Sequence, residues 1–238
     1  MRARRRVAIL ISGRGSNMEA LIAAATAADF PAEIVAVISN EPDAAGLQIA
    51  RGHGIETVAI PHREHADRAA HEAEIGRALT ECKPDIVCLA GYMRLLTPRL
   101  VATWEGRMIN IHPSLLPAFP GLHTHRRALA QGVRVHGCTV HFVTEAMDDG
   151  PIIAQAAVPV LSGDSEESLA VRVLLAEHKL YAMALGMVAR GQVSMRDGRA
   201  VFTGTEDGDP EARLFSPAPP QSDPAAIADV EHLARFTP

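Results

Sequence analysis

Three short stretches of this sequence carry side chains whose types and spacing could do chemistry. The first is Ile11-Ser-Gly-Arg-Gly-Ser-Asn17, a glycine-rich turn followed by small polar residues. At a helix start such a turn leaves backbone N–H groups pointing outward, where they bind anions. It is not a Walker A loop, because no Lys-Ser/Thr follows the second glycine. Met18 also stands where a dinucleotide fingerprint needs its third glycine. A phosphate monoester fits best, and a tight turn without ligand is the structural alternative.

The second stretch is Met108-Ile-Asn-Ile-His-Pro-Ser-Leu-Leu-Pro117. Asn110 and His112 are two apart, so on a strand they face one side. An amide beside an imidazole suits carbonyl chemistry, with Asn donating to a developing oxyanion and His handling protons near neutral pH. A histidine that merely caps a strand end reads the same way locally. The third stretch is Glu145-Ala-Met-Asp-Asp-Gly150, whose composition alone makes a turn. A carboxylate from it beside His112 would orient the imidazole, and Asn–His–Asp would then form a set. Glu177 is a further candidate. Its helical neighbours Val173, Leu174, Leu180 and Tyr181 put a carboxylate in apolar company, where it needs a ligand or a partner such as Lys179 or His178.

The remaining reactive side chains point elsewhere. His123 and His125 lack a third ligand at a familiar zinc spacing, so no metal is expected. Arg126 and Arg127 after them read as an exposed helix start near an anion. Cys82, Cys88 and Cys138 are too scattered for a disulfide framework and read as structural thiols of a reducing compartment. No G-x-S-x-G elbow frames a serine nucleophile.

The elements that must position these residues alternate. Apolar runs at Val7–Ile11, Ile34–Ile38, Thr57–Ile60 and Asp85–Leu89 have the character of strands buried on both faces. Asn17–Ala28, Ala44–His53 and His65–Glu81 between them are long enough for crossover helices, which imply parallel pairing. Thr97-Pro98 starts a short helix, and Arg107–Ile111 is another strand leading into His112. Val135–Thr144 and Pro151–Val160 are close enough to form an antiparallel hairpin. Asp164 with Glu167 reads as a capping box for a long helix with Leu169, Val173, Leu180, Ala184 and Met187 along one stripe. The fold class is α/β, a Rossmann-like mixed sheet with a parallel N-terminal half and an antiparallel C-terminal part.

The 238 residues carry a formal charge of −5, and its placement marks a boundary. Residues 1–204 hold 21 basic and 21 acidic side chains, whereas residues 205–238 hold two basic and seven acidic ones and six of the sixteen prolines. Such a segment cannot bury enough to fold alone. It reads as an acidic, proline-rich, extended tail, with a short helix around Pro224–Ala234, and the catalytic domain as residues 1–204. The charge argues against a broad nucleic-acid surface. No stretch approaches the roughly 20 apolar residues of a membrane span, and the run after the N-terminal arginines is too short for a signal peptide. A cytoplasmic protein, bound to neither nucleic acid nor membrane and a monomer or weak homodimer, is expected.

Taken together, the motifs resemble the phosphoribosylglycinamide formyltransferase family. The resemblance rests on Ile11–Asn17, Leu89-Ala-Gly-Tyr-Met-Arg-Leu-Leu96, Ile109-Asn-Ile-His-Pro-Ser-Leu-Leu-Pro117, Pro120-Gly-Leu-His-Thr-His125 and His136–Val143 through Asp148-Asp-Gly-Pro151, and spans about residues 5–202. It implies that Gly15, Ser16 and Asn17 hold the phosphate of glycinamide ribonucleotide and that Glu177 holds its ribose hydroxyls. Arg68, Met93, Arg94, Leu95 and Leu96 would bind the co-substrate 10-formyltetrahydrofolate, the last four largely through their backbone. Asn110 and the loop Thr144, Glu145, Ala146, Met147 and Asp148 would complete the folate pocket. Asn110, His112 and Asp148 would be the catalytic set for direct attack of the amine on the formyl carbon, with no metal. Counting from both flanking motifs selects Asp148 over Asp149.

Two other readings compete. A 10-formyltetrahydrofolate hydrolase would carry an N-terminal regulatory domain, which is not expected here. A non-catalytic protein that binds a phosphate ligand would leave Asn110, His112 and Asp148 without a purpose. The tRNA-directed member of the wider group would need a further basic domain, and the acidic tail has the wrong sign.

Overall fold

The computed structural model describes residues 3–205 together with 212, 214, 216 and 217. The expected tail and its short helix lie outside the described residues. The first half is built from β1 (Arg5–Ile11), α1 (Ser16–Ala25), β2 (Ala32–Ser39), α2 (Ala45–Gly52), β3 (Glu56–Ala59), α3 (Arg68–Cys82) and β4 (Ile86–Leu89). It continues through α4 (Pro98–Thr103), β5 (Met108–His112), α5 (Thr124–Ala130), β6 (Val135–Phe142), β7 (Ile152–Pro159) and α6 (Glu166–Arg190).

A seven-stranded sheet runs in the order β3-β2-β1-β4-β5-β6-β7. The first five strands pair in parallel, and β6 and β7 are antiparallel. This is the expected mixed sheet. Its core is two-sided because successive residues of β1 point to opposite faces. Val7, Ile9 and Ile11 pack with α1, α2 and α6, whereas Ala8 and Leu10 pack with α3 and α4. The strand order reverses direction between β1 and β4, and open α/β sheets bind ligands beyond the carboxyl ends of their strands at such a point.

Local chemistry explains the helix starts. Thr97 caps α4 with Pro98 in its first turn, as expected. Asp67 caps α3 by accepting from the Ala70 amide at 2.8 Å, and a single 3₁₀ turn at His62–Glu64 takes up the residues before it. The expected Asp164–Glu167 box is corrected. Ser165 and Ser168 cap α6 reciprocally, and Asp164 instead receives both terminal nitrogens of Arg172, at 2.7 and 2.9 Å. An aspartate one residue early is better used against a guanidinium fork. A separate hairpin, β8 (Val193–Arg196) and β9 (Arg199–Phe202), follows α6. Its turn residues Asp197 and Gly198 both have positive φ, the Asp-Gly signature of a tight hairpin.

Candidate active site

The turn after β1 is shaped to leave amides open. Gly15 is the N-cap of α1 with φ 76°, and no side chain caps that helix. The first-turn amides therefore keep no partner inside the helix. Gly46 in α2 closes the turn from behind, its amide donating to the Gly13 carbonyl at 3.1 Å. A Cβ on Gly46 would stand 2.5 Å from Ile11 Cδ1 and 3.1 Å from that carbonyl. Gly46 carries no sequence signal of its own; only the packing of α2 on the turn explains it.

Asn17 joins this turn to α6. Its Nδ2 donates to Glu177 Oε2 at 2.7 Å, across 160 positions of chain. Burial pushes the Glu177 carboxyl up from its ordinary range, and the bond from Asn17 partly offsets that. Thus Glu177 takes Asn17 rather than a helical neighbour. Asn17 Oδ1 is buried and, among the described residues, has no hydrogen-bond partner. Beside the open amides stands a carboxylate and an unmatched carbonyl oxygen, a set that suits ligand hydroxyls next to a phosphate.

At the end of β5, His112 is buried with a carboxylate before it. Its Nδ1 lies 3.5 Å from Asp148 Oδ1, while its Nε2 lies 3.1 Å from the Phe119 carbonyl oxygen. The carboxylate is fixed by the Gly121 amide, which donates to Oδ2 at 2.7 Å. Asp148 adopts φ 55°, a left-handed conformation that Asp tolerates better than most residues. Gly150 makes the loop possible, because a Cβ there would stand 1.7 Å from the Phe142 carbonyl oxygen. Asp149 is exposed. The loop following His112 is pinned through Thr139, its register partner, which donates to the Ser114 carbonyl at 2.7 Å and accepts from the Leu116 amide at 3.0 Å.

Asn110 also has a cross-strand partner. Its Nδ2 lies 3.2 Å from Nε2 of His141, and His141 Nδ1 lies 2.8 Å from the Phe142 carbonyl oxygen. A carbonyl only accepts, so His141 carries its proton on Nδ1 and its Nε2 accepts from the Asn110 amide. Burial keeps His141 neutral by lowering its pKa, which suits that role. His141 belongs to none of the three stretches that carry candidate chemistry in the sequence. Its signal was the strand register opposite Asn110.

Leu96 of the expected folate segment lies on the α3–α4 side of the sheet. Tyr92 and Leu96 after β4 pack against the apolar cluster that includes Val143 after β6. Arg94 stands near enough to His71 of α3 for its charge to disfavour that imidazolium. Arg68 is exposed in the first turn of α3, and Met93, Leu95 and Met147 are exposed as well. His125 and Arg127 are placed differently from expectation. His125 stacks edge-on to His136 at 5.4 Å, and Arg127 turns back to the Pro120 carbonyl at 2.5 Å and over the Phe119 ring. That side chain therefore holds the loop before α5, and Arg126 beside it is exposed. Burial pushes the Cys88 and Cys138 thiols up to about 12, so neither supplies a thiolate.

The formyl transferase profile matches residues 5–185. The chain belongs to the formyl transferase family. A formyl transferase relative from Escherichia coli, named phosphoribosylglycinamide formyltransferase, is 44% identical over 198 residues, 83% of this chain and 93% of that protein. The crystal structure of the Brucella melitensis phosphoribosylglycinamide formyltransferase is 61% identical, covers 78% of this chain and 96% of that one, and superposes with a TM-score of 0.76. A bovine trifunctional purine biosynthetic protein, adenosine-3, is 50% identical over 202 residues, which are 85% of this chain. The chain spans a fifth of that longer relative. The match covers the mixed sheet, with Asn110 and His112 on the strand at its parallel–antiparallel junction.

Proposed function

We propose that this chain transfers the formyl group of 10-formyltetrahydrofolate to the amine of glycinamide ribonucleotide, a step of purine biosynthesis. The observation that carries the reading is His112 facing Asp148 at 3.5 Å on the strand that also presents Asn110, in a member of the formyl transferase family. The open amides at Gly15, Ser16 and Asn17 receive the phosphate, and Glu177 receives the ribose hydroxyls. Arg68, Met93–Leu96 and the Thr144–Asp148 loop receive the folate.

The amine nitrogen adds its lone pair to the formyl carbon, and the carbonyl oxygen becomes an oxyanion. Asn110 and protonated His112 donate to that oxygen. Asp148 holds His112 and helps pass a proton from the attacking amine to the folate nitrogen that leaves. The C–N bond to folate then breaks and the formyl amide is released.

Residues 1–204 act as the catalytic domain in this reading, and the acidic remainder as an appendage. The equal numbers of basic and acidic residues in that domain support small-molecule rather than nucleic-acid partners in a cytoplasmic enzyme, monomeric or weakly dimeric. Among the described residues no helix is long and apolar enough to cross a membrane.

The test is formyl transfer from 10-formyltetrahydrofolate to glycinamide ribonucleotide, followed by folate absorbance. His112→Ala should lose roughly 10²–10⁴ in kcat, the range of a general acid–base group. Undiminished transfer in that variant refutes the mechanism, and folate hydrolysis without the amine favours the hydrolase.

A further inference from the structure

The segment between Gly91 and Thr97 is neither helix nor strand, and two side chains from distant parts of the chain hold its ends. At one end stands Ser12, the first residue after β1. Its amide donates to the Gly91 carbonyl at 3.2 Å, and its hydroxyl accepts from the Met93 amide at 2.8 Å. The same hydroxyl gives its proton to Asn40 Oδ1 at 2.5 Å, so its lone pair is oriented toward Met93. Asn40 is itself buried, and its Nδ2 lies 3.3 Å from His62 Nδ1.

At the other end stands Glu72 of α3, only 6% exposed. The Thr97 amide donates to both its oxygens, at 2.8 and 3.1 Å, and the Thr97 hydroxyl donates to Oε2 as well. A carboxylate that accepts several donors in a buried place makes the strong kind of hydrogen bond. Between the anchors, Met93 and Leu95 turn their side chains outward, 69% and 56% exposed. No ladder of the sheet shapes these residues, so their geometry is set by what grips them.

We propose that Ser12 and Glu72 are positioning residues for the folate: they clamp Met93–Leu96 from both ends and hold its backbone groups in the arrangement that reads the pteridine edge. Recognition by backbone groups is effective only when those groups are ordered before the ligand arrives, since ordering them on binding costs affinity. Ser12 lies where the ends of β1 and β4 diverge, within hydrogen-bond reach of the segment after β4. The inference rests on the assignment of Met93–Leu96 to the folate in the proposed function.

Steady-state kinetics with each substrate varied, for Ser12→Ala, Ser12→Thr, Glu72→Ala and Glu72→Gln, test it. Glu72→Ala should raise the KM for 10-formyltetrahydrofolate by roughly tenfold or more while the KM for glycinamide ribonucleotide stays within about twofold. Calorimetric titration with tetrahydrofolate should show a parallel loss of affinity. Ser12→Ala should raise the folate KM likewise, and Ser12→Thr, which keeps the hydroxyl, should restore it. Glu72→Gln keeps an acceptor for the Thr97 amide and should fall between wild type and Glu72→Ala. If Glu72→Ala fails to fold, Glu72→Gln and the Ser12 pair decide. A folate KM unchanged in the folded variants, or a loss shared equally by both substrates, overturns the proposal. A wild-type enzyme without formyl transfer refutes the folate assignment itself, and this inference with it.

Discussion

The side-chain amide of Asn110 donates to Nε2 of His141, the residue directly opposite it on the neighbouring antiparallel strand, at 3.2 Å. The bond fixes which end of the amide faces the strand and leaves the second N–H of Nδ2 for a substrate oxygen. His141→Phe should therefore leave the fold intact and lower kcat by about threefold to tenfold, the worth of one orienting hydrogen bond. His141→Gln, which retains an acceptor, should recover part of that. Kinetics at saturating substrate check it, and a kcat equal to wild type in His141→Phe would show that Asn110 orients without help.

Asp148 and Asp149 differ in placement, not chemistry. Only Asp148 reaches His112. Asp148→Asn suits the left-handed backbone and should fold normally while losing roughly 10²–10³ in kcat. Asp149→Asn should stay within about twofold on the same reasoning about contact with the reacting groups. Equal losses in the two variants would place the catalytic carboxylate wrongly.

Glu177 is a buried carboxylate held at a cost to stability. Burial raises its carboxyl pKa, so the folded state favours the protonated form and the carboxylate's burial costs stability as pH rises through the folded pKa. Glu177→Gln keeps an oxygen for Asn17 and removes that cost. Its Tm at pH 7.5 should rise by a few degrees, while the KM for glycinamide ribonucleotide rises about tenfold. A thermal melt and a substrate titration on one preparation measure both, and a lowered Tm would contradict the account.

Buried histidines should set the acid limit of stability. Burial pushes His136 down to about 4 from its ordinary 6.5, and His125 and His141 shift the same way. The unfolded chain therefore binds protons that the folded chain refuses, and stability is lost as pH falls from about 6.5 toward 4. For His136 the loss reaches roughly 3 kcal/mol. Urea midpoints at pH 7.5, 6 and 5 should fall steadily, and His136→Gln should flatten that slope. The Asp164 carboxyl, held low by the Arg172 guanidinium, loses its contribution in a separate, lower window, as pH falls below the ordinary carboxylate range. A slope unchanged by His136→Gln would assign the acid limit to other groups.

Much of this was legible in the chain itself. Apolar strand runs separated by helix-length stretches announce a parallel sheet, because strands buried on both faces need apolar residues throughout. Thr97-Pro98 and the glycine turn carry their own geometry. Asp197-Gly198 carries a hairpin signal equally plain, although flanking strands of four residues give too few alternating positions to announce themselves. The Asp164 expectation failed because several capping-type residues stand in a row, and which of them caps depends on Arg172, eight residues beyond Asp164.

The site divides along the same line. Asn110 and His112 are two residues apart on one strand, so the period of the backbone places them together, and the sequence alone determined that. Asp148 opposite His112, Asn17 on Glu177, Asn110 against His141, and Ser12 and Glu72 on either end of Met93–Leu96 join positions between 25 and 160 residues apart. Local propensity acts over a few residues and is silent at such separations. Only strand order, register and helix packing bring those groups within a hydrogen bond, and the tertiary structure alone decided them.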